Sequence, residues 1–308
     1  EAIVEIIKNR DERFYIIIML APMLVVLISF YLYPTFYNLY NSFTDLSLLG
    51  LKKGGAYIGF NNYMRLFQDK AFGRLLWNTF FWLTFVSVSL RLVLGVLLAL
   101  LLNSETLKKF KLTGITRLCL LVPWATPAIV AVIAWRFMLD PREGIVNQIL
   151  LSTGMVDQPV AFLSNIYTVW PVVIIIIIWN SLPLVTMSYL ASLQSIPKTL
   201  YEAAEIDGAN DLQKFVHITL PQLMPTTLVL SLLLVVWTFN NFVYVWLTTA
   251  AGPGTYTNVL ATEVFIRGFV DFELGYSSAI GMMMAAMMAL FGMFYYRFLA
   301  KKEFSEII

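Results

Sequence analysis

The feature that most constrains this chain is the return, six times, of an apolar run too long for an ordinary buried helix. The runs span Phe14–Phe36, Trp77–Leu102, Arg117–Leu139, Thr168–Leu190, Thr226–Thr249 and Tyr276–Leu299. About twenty residues at about 1.5 Å each cross the roughly 30 Å of bilayer hydrocarbon. Within that layer each backbone polar group needs a partner from the protein itself, which a helix supplies internally. The expected fold class is therefore an all-α integral membrane protein with six transmembrane helices. A soluble domain is excluded by the same reasoning, since 59% of the 308 residues are hydrophobic. The first run follows the charged segment Lys8 to Arg13 and has no small-residue cleavage signature, so it reads as an uncleaved anchor.

Other features remove whole classes of function. A net charge of +2 implies no nucleic-acid partner. A single cysteine, Cys119, excludes an internal disulfide, and the single histidine, His217, has no second ligand nearby with which to hold a metal. No glycine-rich phosphate loop ending in Gly-Lys-Ser/Thr is present, so ATP hydrolysis is not expected on this chain. An ion-driven carrier should show paired acids inside the spans. A membrane enzyme should show clustered His or Asp at the interface. Neither pattern occurs.

Orientation follows from the basic residues between the runs. With the N-terminus inside, cytoplasmic segments hold Lys8, Arg10, Arg13, Lys108, Lys109, Lys111, Arg117, Lys198, Lys214, Arg297, Lys301 and Lys302. The outer segments hold the smaller set Lys52, Lys53, Arg65, Lys70, Arg74, Arg136, Arg142 and Arg267. Both termini are thus expected in the cytoplasm. Residues 1–73 form the N-terminal segment, first helix and outer loop. Residues 74–299 form a core of five helices with a cytoplasmic loop at 192–221, and residues 300–308 form a tail.

That loop is a polar island. Ser195 is expected to cap a first short helix and Pro197 to occupy its first turn. Leu200, Ala203, Ala204 and Ile206 make a thin apolar stripe beside Glu202, Glu205 and Asp207. Gly208 can take the left-handed conformation that ends the helix. Asp211 is expected to cap a second helix that stops before Leu220-Pro221.

Glu202-Ala203-Ala204, three residues, Gly208, nine residues, Ile218, one residue, Leu220-Pro221 is the full spacing of a known signature. It resembles the cytoplasmic motif of ATP-binding-cassette importer permeases. The resemblance implies a type I importer permease fold. It makes this segment a coupling helix that sits in a groove of an ATPase subunit, with Glu202, Ala203, Ala204, Asp207, Gly208, Leu220 and Pro221 as the coupling residues. It also implies a second permease subunit, two ATP-binding subunits that carry ATP and Mg, an external solute-binding protein, and a bacterial or archaeal cytoplasmic membrane. No cofactor is expected on this chain.

The resemblance extends along the chain. Pro34 with Asn41-Ser42-Phe43-Thr44-Asp45, Leu121-Val122-Pro123-Trp124, Gln194-Ser195-Ile196-Pro197, Gly252-Pro253-Gly254 and Leu274-Gly275-Tyr276 look like the carbohydrate-uptake subgroup, as does Asn240-Asn241-Phe242. The solute this implies is a sugar or sugar-like molecule moved by alternating access. Another polar solute, such as an amino acid, is the alternative.

A sugar path needs hydrogen-bonding side chains and an aromatic face, turned away from lipid. In the fifth run Leu234, Trp237, Thr238, Asn241 and Val245 fall on one face by three-and-four spacing, with Val235 and Val243 facing lipid. In the fourth, Pro183 should weaken or kink the helix one turn after Trp179-Asn180-Ser181. By resemblance to the maltose-type permease, Asn180, Ser181, Leu184, Leu234, Trp237, Thr238 and Asn241 stand at sugar-contacting positions. Here Trp237 replaces a Phe, and Leu184 an aromatic residue. The competing reading is that the Asn and Thr side chains merely bridge helices.

Three further features have two readings each. Arg91 lies mid-span, where a charge costs about 2.5–3.5 kcal/mol on insertion scales, and is either a gate or anionic-path residue or half of a buried ion pair. The segment from Phe60 to Phe67, with Phe60, Tyr63, Leu66 and Phe67 on one side, is either a helix lying on the membrane surface or a cover for the bundle. Met282, Met283, Met284, Met287 and Met288 read as adaptable packing rather than a metal relay, beside a small-residue stripe of Gly281, Ala285 and Ala289.

Overall fold

Among the described residues the regular structure is helical, relieved by one isolated antiparallel bridge between Thr44 and Tyr57. The structure is a computed structural model that describes residues 10–104 and 113–306. Lys8, Lys108, Lys109 and Lys111, part of the expected charge asymmetry, lie outside them.

Among the described residues five helices are long and apolar enough to cross a membrane: Tyr15–Asn41, Phe72–Asn103, Val169–Ser195, Asp211–Phe239 and Leu274–Arg297. Gly114–Ala125 and Ala128–Met138, a pair bent by 98°, are long and apolar enough to make a sixth when counted as one broken span. The third span, expected as one helix, is therefore broken at Thr126-Pro127. Pro127 has no N–H to give the preceding turn, and it forces Thr126 away from helical backbone. Pro127 itself is extended, at φ −56° and ψ 138°.

The fifth span also departs from expectation. It starts at Asp211, well before Thr226, and ends at Phe239; a separate helix, Val243–Thr249, follows. The two asparagines cause the break by competing for backbone groups. Asn240 Nδ2 donates to the Val236 carbonyl at 2.9 Å, and Asn241 Oδ1 accepts from the Tyr244 N–H at 3.1 Å. The fourth span, by contrast, runs unbroken through a buried Pro183.

The chain divides into two units, Glu1–Asp69 with Glu263–Leu290, and Lys70–Thr262 with Phe291–Ile308. In the second, the fourth span is the central pillar, with 61% of its most apolar stretch buried. Val185, Tyr189, Leu190 and Leu193 from it pack with Val88, Ala99 and Leu102 of the second span and Leu223, Leu230 and Leu234 of the fifth. The second and fourth spans approach so closely at Gly95 that a Cβ there would stand 2.5 Å from Val185 Cγ1.

In the first unit, the first span has none of its most apolar stretch buried. The loop after it is held by hydrogen bonds. Asn62 Nδ2 donates to the carbonyls of Ser42 and Thr44, at 2.9 and 2.8 Å. Arg65 makes a two-pronged pair with Glu273 at 2.9 Å and lies 4.2 Å over the Tyr276 ring. The Glu273 hydrogen bond raises the Arg65 pKa above its ordinary value.

Helix Asn61–Gln68 forms as an amphipathic helix, and its apolar residues divide between buried and exposed positions. Leu66 is buried, and Tyr63 shares a hydrogen bond with Ser42 at 2.7 Å, while Phe60 and Phe67 are exposed. The helix buries Asn62 along with Leu66, so its inward side is set by the polar bonds of Asn62 as much as by apolar spacing.

Candidate functional site

The loop motif folds as a short helix, Lys198–Ile206, a tight turn, and a second helix that merges with the fifth span. Its entry differs from expectation. Pro197 is the residue before the helix, and Ser195 does not cap it, because its Oγ donates to the Ser192 carbonyl behind it at 2.8 Å. The exit is as expected. Gly208 has φ +79°, its N–H reaches the Glu205 carbonyl at 3.1 Å, and the Ala209 N–H reaches the Ala204 carbonyl at 2.9 Å. This pair of bonds satisfies the carbonyls that the helix end would otherwise orphan.

The second helix is capped by Asn210, not Asp211. Asn210 Oδ1 accepts from the Gln213 N–H at 2.9 Å, and Gln213 Oε1 accepts from the Asn210 N–H at 2.8 Å. Asp211 fills the first turn instead, where a negative charge suits the N-terminal end of the helix.

Nor does this helix stop before Leu220-Pro221. It passes through a π-helical turn, Phe215–Thr219, and continues to Phe239. Leu220 and Pro221 sit at the first turn after that irregularity, where a missing N–H is tolerated.

Two bonds fasten the short helix to the foot of the fifth span. Tyr201 and Thr219 share a hydroxyl hydrogen bond of 2.9 Å, and Lys214 Nζ meets both Glu205 and Asp211 at 2.9 Å. Glu202, Ala203, Asp207 and Gly208 are exposed, and Ala204 is half-buried. The apolar stripe faces outward too: Ile206 is 87% exposed, and Leu200 is exposed beside it.

The seven residues aligned with the path have different fates. Asn180 Nδ2 donates to the carbonyls of Pro123 and Thr126, at 2.7 and 3.2 Å, so it serves the backbone freed by the break in the third span. Ser181 donates to the Ile177 carbonyl at 2.7 Å and accepts from Arg91 Nη1 at 3.3 Å. Thr238 accepts from Arg91 Nη2, and Arg91 Nε donates to the Ser87 carbonyl at 3.0 Å. Leu234 and Thr238 are buried in this chain, Leu184 and Asn241 are half-buried, and Trp237 is 54% exposed.

The single face expected for the fifth span is thus divided. Leu234, Thr238 and Val245 turn inward while Trp237 turns outward, and Asn241 lies past the helix end. Val235, expected to face lipid, packs against the core, whereas Val243 is exposed.

Among the described residues Arg91 is not half of an ion pair. Its partners are two hydroxyls and one carbonyl, and no ion pair among the described residues includes it. Sequence spacing missed that Ser181 and Thr238 are its acceptors. The signal available was a buried cation in spans that lack any carboxylate but hold hydroxyls at similar depth.

Residues 91–303 match the binding-protein-dependent transport system inner membrane component family, and the chain belongs to it. It is therefore an integral inner-membrane permease component. It is similar to the sulfoquinovosyl glycerol transport system permease protein SmoG of Agrobacterium fabrum, at 32% identity over 96% of this chain and 93% of that protein. It is also 32% identical to the trehalose/maltose transport system permease protein MalF of Thermococcus litoralis, over 87% of this chain and 86% of that one. Among solved structures, a chain of the bacterial alginate ABC transporter, in complex with an alginate pentasaccharide-bound periplasmic protein, superposes with a TM-score of 0.79. It is 26% identical and covers 94% of each chain.

Proposed function

We propose that this chain is one of two transmembrane subunits of an importer for a sugar or sugar-like solute, driven by ATP hydrolysis on separate subunits. The observation that carries the reading is the continuity of the helix Asp211–Phe239, which joins the motif loop directly to the fifth span. Movement imposed on the loop must travel along one helix, since Tyr201–Thr219 and Glu205–Lys214 keep the short helix from swinging independently. Glu202, Ala203, Ala204, Asp207 and Gly208 offer the ATPase a polar, small-residue surface with Ile206 as its apolar knob. Leu220 and Pro221 form the base of the lever.

The solute assignment draws on the relatives, whose names give sulfoquinovosyl glycerol, trehalose and maltose, and on a neighbour that carries alginate. The cycle is alternating access. An external binding protein delivers solute, and ATP with Mg acts on the partner ATPase pair. Both termini and the coupling loop face the cytoplasm. In this chain the solute meets Trp237, Asn241 and Leu184, whose side chains are not consumed by the core. Asn180, Ser181, Leu234 and Thr238 stand behind them.

The test is reconstitution with the second permease subunit, ATPase and binding protein, with candidate ligands first screened on the binding protein. Hydrolysis stimulated by a saccharide-loaded binding protein is the expected outcome. A binding protein that takes amino acids and ignores saccharides would overturn the sugar assignment, and hydrolysis indifferent to any loaded binding protein would overturn the importer reading.

A further inference from the structure

Arg91 has no part in the coupling surface or the solute contacts, yet it is 2% exposed and bonded to three helical segments' worth of acceptors. Its position relative to the two broken spans is informative. Thr238 is in the last turn of the fifth span, one residue before Phe239 ends it. Ser181 follows Asn180, which holds the carbonyls of Pro123 and Thr126 at the break of the third span. Both interruptions are therefore tied to two adjacent residues of the unbroken fourth span. That span is in turn locked to the second by the close approach at Gly95 and Val185.

A guanidinium suits this task better than any other side chain. Its planar fork presents donors in two directions and can hold acceptors on separate helices at once, whereas an ammonium is a point charge on a flexible stem. The acceptors here are neutral, so the link is weaker than an ion pair and can open without separating opposite charges. At its other end the same fifth helix begins in the coupling loop.

We propose that Arg91 is a positioning residue, a latch that holds the last turn of the fifth span on the second and fourth until the coupling loop pulls that helix away. While it is closed, the break at Asn240–Phe242 keeps its place, and with it Trp237 and Asn241. The readout by hydrolysis rests on the importer reading above; the readout by mobility does not.

The experiment uses the full complex with its ATPase and binding protein, on a Cys119→Ser background. A nitroxide attached at Val243→Cys, just beyond the break and exposed, reports local mobility. Arg91→Met is expected to mobilise the nitroxide and to raise basal hydrolysis by about threefold or more, the scale set by one lost hydrogen bond, with the ratio of stimulated to basal rate falling accordingly. Arg91→Lys should do the same, because it keeps the charge and loses the fork. Thr238→Val should match Arg91→Met, and the double variant should be no worse than either alone, as groups acting on one another require. Should Arg91→Met not assemble, Thr238→Val carries the test by itself. A merely structural role would reduce the amount of complex and leave the ratio and mobility unchanged. Wild-type behaviour in Arg91→Lys, or effects of Arg91 and Thr238 that multiply, would overturn the latch. If even the native complex shows no stimulation, the importer reading falls and the nitroxide still decides for or against the latch.

Discussion

Tyr201 and Thr219 share a 2.9 Å hydrogen bond between the exposed short helix and the foot of the fifth span. Thr219 is buried and Tyr201 half-buried, so neither hydroxyl has water freely at hand. Tyr201→Phe should cost about 0.5–1.5 kcal/mol of local stability while keeping the ring's packing. The complex should assemble, but ATP hydrolysis should drive less uptake per turnover. Counting solute molecules moved per ATP tests this, and an unchanged ratio would remove the bond from the coupling path.

Gly208 gives a cleaner backbone test. At φ +79° a side chain strains the turn, and a Cβ there has open space around it, so no clash confuses the result. Gly208→Val should cost about 1–3 kcal/mol and misdirect the capped helix that follows. Uptake should fall more than membrane abundance does. Gly208→Asn, which tolerates left-handed backbone better, should retain more uptake than Gly208→Val.

Ile206 is the most exposed large apolar residue of the coupling surface. None of the described residues covers it, so Ile206→Asp should leave the subunit folded. Its effect should appear as loss of the ATPase subunit on purification. Retention of the ATPase at native stoichiometry would mean the knob is not part of the docking surface.

What could be read from sequence, and what could not, follows from the range of the interactions. The spans and the Gly208 turn were legible because apolar length and a single-residue conformational need are local. The cap at Asn210 was missed by one position, since Asn210 and Asp211 are both good caps and only Gln213 Oε1 returning to the Asn210 N–H decides between them. The break after Phe239 was missed because Asn240 and Asn241 look like part of one continuous span, with Asn241 on its path face. Their competition with the backbone shows only when their bonds to Val236 and Tyr244 are seen. The roles of Asn180 and Thr238 depend on Pro123 and Arg91, far away in sequence, and periodicity carries no information on such pairs.

Gly95 tests the rigidity of the pillar. Its missing Cβ would lie 2.5 Å from Val185 Cγ1 and 3.4 Å from Tyr189 Cδ2. Gly95→Val should overpack the contact and cost about 1–3 kcal/mol, visible as lower thermal stability of the purified complex. Val185→Ala should restore much of that loss in combination with Gly95→Val, because it removes the atom in the way. A double variant no better than Gly95→Val alone would place the clash elsewhere.

Asn180 separates a brace from a solute contact. Its Nδ2 supplies hydrogen bonds to two carbonyls at the bend in the third span, those of Pro123 and Thr126, and the Pro123 carbonyl also accepts from the Thr126 N–H at 3.2 Å. Asn180→Leu removes the donor, leaving the Pro123 carbonyl with the Thr126 N–H alone and taking the side-chain bond from the Thr126 carbonyl, at about 1–3 kcal/mol where that half-buried oxygen finds no water. Asn180→Asp should be worse, because an ionised carboxylate only accepts and would face two carbonyl oxygens. Both should lower the stability of the complex and loosen the third span, seen as faster proteolysis or hydrogen exchange near Thr126. A direct solute contact predicts the reverse order, since a carboxylate can still accept from sugar hydroxyls while leucine cannot. If Asn180→Asp is as stable as the native chain and only Asn180→Leu loses uptake, through a higher half-saturating solute concentration, Asn180 reads the solute and the third span is held by something else.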